Sequence, residues 1–197
     1  MAMRMHALLM GFGLVAGCAR YESSQPDAHG PVIVGYSGLS SNLMDDILPY
    51  VAQRLNAVHV DGGMWYDGHK AQELRQLYNQ GHAILIIGHS EGCRNALSLA
   101  YELQDIPVHL CFLDFAQMRI ADRLGVGHPP AVPRNVESVT NVYSDGFLRG
   151  RPMLQGDAQG TPVIMNLSTE GSHWVFDNDP VMERYTETLN RLISREE

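Results

Sequence analysis

Lysine is nearly absent from this chain. Lys70 is the only one among 197 residues, and acids outnumber Lys and Arg by 22 to 14, a formal net charge of −8. No basic stripe exists to neutralise phosphates, which excludes nucleic acid as a partner. Cysteine is scarce too, with three in all; an exported protein permits a disulfide, but nothing in the sequence establishes one. Cys-x-x-Cys, His-x-His and His-Glu-x-x-His are all missing, which leaves no metal-site pattern and no metal ligands to name. No internal repeat and no second domain are visible. The one apolar run with a basic residue before it, Ala7 to Ala16 after Arg4, is too short to span a bilayer as a mature helix.

That run ends in Leu14-Val15-Ala16-Gly17-Cys18, which resembles the bacterial lipobox, and the resemblance implies cleavage before Cys18 and lipidation of its thiol. Residues 1–17 then form a lipoprotein signal peptide. Ala19 is not the aspartate that retains such proteins at the inner membrane, so the resemblance points to the bacterial cell envelope, and to the outer membrane in a source that has two. The competing expectations are an ordinary secretory signal and a buried first helix. The mature chain is acidic, so attachment to a membrane rests on the acyl chains and not on charge. Residues 18–30 are polar, with Ser23, Ser24, Pro26 and Gly30, and read as a tether.

Residues 31–197 read as one domain, with ordinary apolar (45%) and charged (18%) content for the whole chain. Short apolar runs alternate with helical stretches. Pro31 to Tyr36, Ala57 to Asp61, Ala83 to Ile87, Pro107 to Asp114, Val136 to Tyr143 and Thr161 to Leu167 predict strands. Leu43 to Leu55 predicts a helix kinked or restarted at Pro49, and a second runs from about Lys70 to Gln80, stopped by Gly81. A third follows Gly92, with Cys93, Ala96, Leu97, Ala100 and Leu103 on one face. The last is capped by Asp179 and Pro180, with Val181, Tyr185, Leu189, Leu192 and Ile193 on its buried face. Such alternation is the sign of a mostly parallel sheet covered by helices on both faces. Gln117 to Asn135 is irregular, too short for a cap domain, and suited to a small lid; Gly150 to Gly160 reads as a surface loop.

The chemistry centres on Gly88-His89-Ser90-Glu91-Gly92, set between a buried strand and an amphipathic helix. A turn that sharp has no room for side chains at its first and last positions, and it presents the serine hydroxyl clear of the sheet. Strand, Gly-x-Ser-x-Gly and helix together resemble the nucleophile elbow of the α/β-hydrolase superfamily, in particular its small lipase- and thioesterase-like serine hydrolases. The fold implied is a compact α/β-hydrolase without a large cap. In that superfamily the order along the chain is nucleophile, acid, histidine. Ser90 is then the nucleophile. His173, alone among nine histidines in following the last strand and preceding the last helix, is its base.

Two acids compete. Asp114 ends the strand after the elbow helix, in Leu113-Asp114-Phe115, which resembles a variant used by some lipases, without its proline. Asp145 ends the following strand, where most of the superfamily carries its acid, but Tyr-Ser-Asp-Gly reads equally as a β-turn. Asp114 is preferred because a lone carboxylate at an apolar strand end is costly unless it is paired. The resemblance also implies an oxyanion hole from the backbone N–H groups of Leu39 and Glu91, Ser37-Gly38-Leu39-Ser40 being equally readable as a plain turn. His89, His59, His82 and His109 are expected to be structural. Cys93 and Cys111 read as small buried hydrophobes, and their pairing is left open.

The expectation is a membrane-tethered serine hydrolase acting, without a cofactor, on a small-molecule or lipid-like carboxylic ester or thioester. Two other functions fit the same residues: an acyltransferase using the same triad, and a non-catalytic surface lipoprotein acting as a binding module.

Overall fold

A row of fully buried, mostly β-branched and leucine residues fixes the centre of the molecule. In the computed structural model, which describes residues 20–21, 30–38, 43–63, 70–115, 129–144, 150–169 and 179–194, Ile84–His89 forms β4 and Val108–Leu113 forms β5, and every residue of both is buried. Strands so apolar along their whole length need cover on both faces. Around them lie β2 (Val32–Tyr36), β3 (His59–Gly63), β6 (Val136–Ser144) and β7 (Val163–Thr169), all paired in parallel. With β1 (Arg20–Tyr21) at one edge, the order across the sheet is β1-β3-β2-β4-β5-β6-β7.

Successive side chains point to opposite faces, and the two faces have separate cores. Ile84 and Ile86 meet α2 (Lys70–Asn79) and α3 (Gly92–Glu102) through Leu74, Ala96, Leu97 and Ala100. Leu85 and Ile87 meet α1 (Leu43–Arg54) and α4 (Asp179–Ser194) through Leu48, Val51, Tyr185 and Leu189. Each large apolar side chain buried in this way contributes roughly 1.5–3 kcal/mol relative to exposure. Alternation is looser at the edge: in β7, Val163 is 56% exposed.

Four expectations are sharpened. Pro49 lies inside α1, which runs unbroken from Leu43 to Arg54. Arg20 and Tyr21, within the stretch read as a tether, form β1 and pair antiparallel with Asp61 and Val60 on the outer side of β3. A parallel sheet leaves the N–H and C=O groups of its last strand open, and β1 takes up part of that edge. The stretch read as the surface loop 150–160 is held to the sheet, with Met153 buried and a short 3-10 turn at Gln155–Asp157. Gly81 ends α2 as expected, at φ 96°.

The connections locate the site. From β2 the chain passes through α1 outward to β3; from β3 it returns through α2 to β4, and then continues toward β7. The connections leaving β2 and β4 thus diverge onto opposite faces of neighbouring strands. The crevice beyond the carboxyl ends of such a pair is where open α/β sheets bind ligands.

Candidate active site

The elbow occupies that crevice. Ser90 follows β4 with φ 53°, a left-handed conformation that a side chain adopts only at a cost. Its N–H donates to Leu113 O at 2.9 Å, which ties the turn to β5. The glycines on either side are required by close approach. A Cβ at Gly92 would lie 2.1 Å from Tyr36 O, and one at Gly88 would lie 2.5 Å from Cys93 Cα. From Ser90 the chain enters α3 through tight i→i+3 bonds, Cys93 N–H to Ser90 O (3.2 Å) and Arg94 N–H to Glu91 O (3.0 Å). Glu91 is the N-cap of α3, so Ser90 stands at the helix end whose N–H groups and dipole favour negative charge. Gly38, at the end of the described stretch after β2, is close enough that a Cβ there would sit 3.4 Å from Ser90 Oγ. The elbow and the β2 loop therefore face each other.

Asp114 has the second strained backbone on this rim, with φ 52° just past β5, and it is fully buried. Among the described residues its carboxylate collects three donors. Gly150 N–H binds Oδ1 at 2.6 Å, Ser144 N–H approaches Oδ1 at 3.4 Å, and the Ser144 hydroxyl binds Oδ2 at 3.2 Å. Among the described residues one other non-glycine has positive φ, Asn56 (49°), which ends the turn after α1 where asparagine is common. Strained residues at functional rims are held by surrounding structure, and these two close adjacent strands.

Phe115, next to Asp114, lines an apolar cleft of about 340 Å³ together with Leu97, Phe112, Val132, Met153 and the Arg151 side chain. Arg151 makes a two-pronged pair with Asp157, at 2.7 and 2.9 Å.

Of the residues singled out in the sequence, Ser90, Glu91 and Asp114 come together at the carboxyl ends of β4 and β5. Leu39, Asp145, His173 and Cys18 lie outside the described residues. Ser144 and Gly150 were not anticipated; their one sequence signal is a place at or after a strand's carboxyl end. His89 is 2% exposed, His82 Nδ1–H donates to Gly30 O (3.0 Å), and His109 Nδ1 is 2.8 Å from Ser138 Oγ, all fitting structural roles. Cys93 and Cys111 are free thiols, which answers the open question of their pairing. Burial pushes both well above the ordinary thiol range, so neither is a thiolate nucleophile. Among the described residues no three His, Cys, Asp or Glu side chains converge as metal ligands.

No family model matches the chain, and no curated protein matches its sequence. Solved structures do. A candidate α/β hydrolase of unknown function from Agrobacterium tumefaciens superposes with TM-score 0.62 at 12% identity, over 92% of this chain and 93% of the other. An esterase of Pyrobaculum calidifontis gives 0.60 at 13% identity, over 90% and 80%. A thioesterase of the prodiginine pathway in Streptomyces coelicolor gives 0.56 at 16% identity, over 87% and 90%. Likeness at such low identity speaks for architecture alone. In its strand order, in the turn that follows β4 and in these superpositions, the chain has the α/β-hydrolase fold, with a mostly parallel sheet covered on both faces and, among the described residues, no large cap.

Proposed function

We propose that the protein is a serine hydrolase that cleaves carboxylic esters or thioesters through an acyl-serine intermediate. The observation that carries this reading is the pair of strained residues, Ser90 and Asp114, on adjacent strand ends at the switch point of the sheet. Esterases and thioesterases among the structural neighbours support it.

In this mechanism Ser90 Oγ attacks the carbonyl carbon while His173 takes its proton, and Asp114 holds the imidazole in the productive tautomer and balances its positive charge. The Leu39 and Glu91 amides receive the oxyanion, at the positive end of α3. Collapse breaks the bond to the alcohol or thiol, which leaves with the proton from His173. Water then attacks the acyl-serine with His173 as base, releasing the acid and restoring the serine. The protein acts at a bacterial membrane, held by acyl chains on Cys18; the sequence before Cys18 supports this part of the reading.

The test is an activity-based one. A fluorophosphonate probe labels the wild-type protein and leaves Ser90→Ala unlabelled, and the same substitution lowers hydrolysis of p-nitrophenyl esters by roughly 10³-fold or more. Equal labelling or equal turnover in the two proteins, with both folded by circular dichroism, refutes the serine-hydrolase reading.

A further inference from the structure

Two asparagines in the sheet have no place in the mechanism above. Asn141 lies in the middle of β6, fully buried, and Asn166 is its direct partner on β7. Asparagine is a poor strand residue, and its buried amide is costly unless bonded. Both amides turn to the same stretch of backbone. Asn141 Nδ2 donates to Arg151 O (2.8 Å) and to Asn166 Oδ1 (2.9 Å). Asn166 Oδ1 also accepts from Met153 N–H (2.7 Å), and Asn166 Nδ2 donates to Met153 O (3.0 Å). The pair thus acts as a short artificial strand against residues 151–153. Farther along, Asp157 accepts from both arms of Arg151 and from Leu154 N–H, which locks the rest of the stretch. Gly150 immediately precedes the first clamped residue, and its N–H makes the shortest of the three bonds to Asp114, at 2.6 Å.

We propose that Asn141 and Asn166 are positioning residues that hold the Gly150 N–H on the Asp114 carboxylate. They act on the reaction through Asp114 and touch no substrate. This rests on the reading of Asp114 as the triad acid, but the clamp itself can be observed without turnover. A hydrogen bond to a charged group is among the stronger ones in proteins, and a carboxylate that loses it becomes easier to protonate and freer to turn. Either change withdraws support from the imidazolium in the transition state and leaves substrate binding alone.

Two measurements on the full chain test the clamp. In the first, the Gly150 amide is followed by NMR. Asn141→Ala and Asn166→Ala should move its proton resonance upfield and speed its exchange with solvent, as should Asp114→Asn. Asn166→Asp keeps the acceptor for Met153 N–H and Asn141 but sets an oxygen against Met153 O in place of the Nδ2 donor, so it too should shift the Gly150 amide. An unchanged Gly150 amide in both alanine variants overturns the proposal. In the second, steady-state ester hydrolysis should show kcat reduced about 10- to 100-fold with KM unchanged in the alanine variants. In an Asp114→Asn background the further loss should vanish, because the clamp then has no carboxylate to serve. Full additivity in that double variant assigns the asparagines a purely structural role and also overturns the proposal. If Asn141→Ala does not fold, Asn166→Ala on the edge strand carries both readouts. A perturbed Gly150 amide in a protein whose wild type hydrolyses no ester leaves the clamp standing and removes the hydrolase reading.

Discussion

Asparagine at position 114 should give a protein that is stable and nearly inactive, and the surroundings of Asp114 show why the two effects separate. Asparagine tolerates the left-handed backbone almost as well as aspartate, so φ 52° adds little strain. Its carbonyl can occupy the Oδ1 position, where the Gly150 and Ser144 amides both require an acceptor. Its NH₂ then falls at Oδ2, opposite the Ser144 hydroxyl, which can rotate from donor to acceptor. Among these described partners no donor is left facing a donor. The loss is the charge-assisted part of the Gly150 bond, about 1 kcal/mol, offset by no longer burying a charge. The urea midpoint should therefore shift by less than about 1 kcal/mol equivalent. Turnover is another matter: an amide neither balances an imidazolium nor fixes its tautomer, and kcat should fall about 10³- to 10⁴-fold. Asp114→Ala is the contrast. It leaves the Gly150 N–H and Ser144 without their acceptor, at about 1–3 kcal/mol for each buried group. Its own left-handed backbone costs roughly 1–2 kcal/mol more. Asp145→Asn, as a turn residue, should keep kcat within about threefold of wild type. Steady-state kinetics with p-nitrophenyl butyrate and urea melts on all three variants decide the matter. A larger kcat loss in Asp145→Asn moves the acid to the end of β6 and refutes the reasoning; small losses in both exclude both.

Four further outcomes are expected. Gly92→Ala should cost about 3 kcal/mol or more, because its Cβ would press on the backbone of Tyr36 and Ser37, which cannot rotate away. Gly156→Ala, with nothing within 4 Å of its Cβ, should be neutral or stabilising by about 0.4–1 kcal/mol in the same chemical denaturation series. Burial raises the Cys93 and Cys111 thiols; the unfolded chain loses those protons near pH 9 while the folded chain keeps them, so stability falls as pH rises through 9. A Cys93→Ala, Cys111→Ala double variant should show a shallower fall between pH 8 and 10 by urea denaturation, and an identical slope rejects the assignment. Cys18→Ser should abolish incorporation of a fatty-acid label in a bacterial host, and undiminished labelling excludes Cys18 as the anchor.

The elbow was legible in the sequence because its geometry demands particular residues in a fixed order. Gly88 and Gly92 are there because backbone atoms occupy the space a Cβ would need, and a contact of that kind leaves a trace at the position itself. The strands β4 and β5 were legible for a similar reason, since cover on both faces asks for unbroken apolar runs. Asp114 was read from its place at a strand end, but the groups that hold it were not. Ser144 and Gly150 lie 30 and 36 residues farther on and act through a hydroxyl and two backbone N–H groups. A backbone donor is available on nearly any residue, so no local pattern marks it. The two residues of β1 were hidden too. Their partner is the open edge of β3, a property of the assembled sheet, and Arg20-Tyr21 has no hydrophobic alternation to declare it. In the stretch 150–160, glycine and proline suggested a surface loop, while the asparagine clamp and the buried Met153 act across the sheet and left no periodicity to read.

Lys70 has a practical consequence for handling the protein. It opens α2 and is paired with Asp61 on β3 and with Glu73 at 2.9 Å. Burial works against its charge, but the two carboxylates outweigh that and hold the ammonium above its ordinary pKa. Reagents that acylate amines need the uncharged form, so the chain's one side-chain amine reacts slowly. Once modified, it leaves Asp61, 9% exposed, without its counter-charge. Because α2 starts from the carboxyl-end side of the sheet, immobilisation through Lys70 would also turn the rim bearing Ser90 toward the support. Coupling through thiols introduced at the far end of α3 or α2, at Glu102 or Gln80, would leave that rim open to solution.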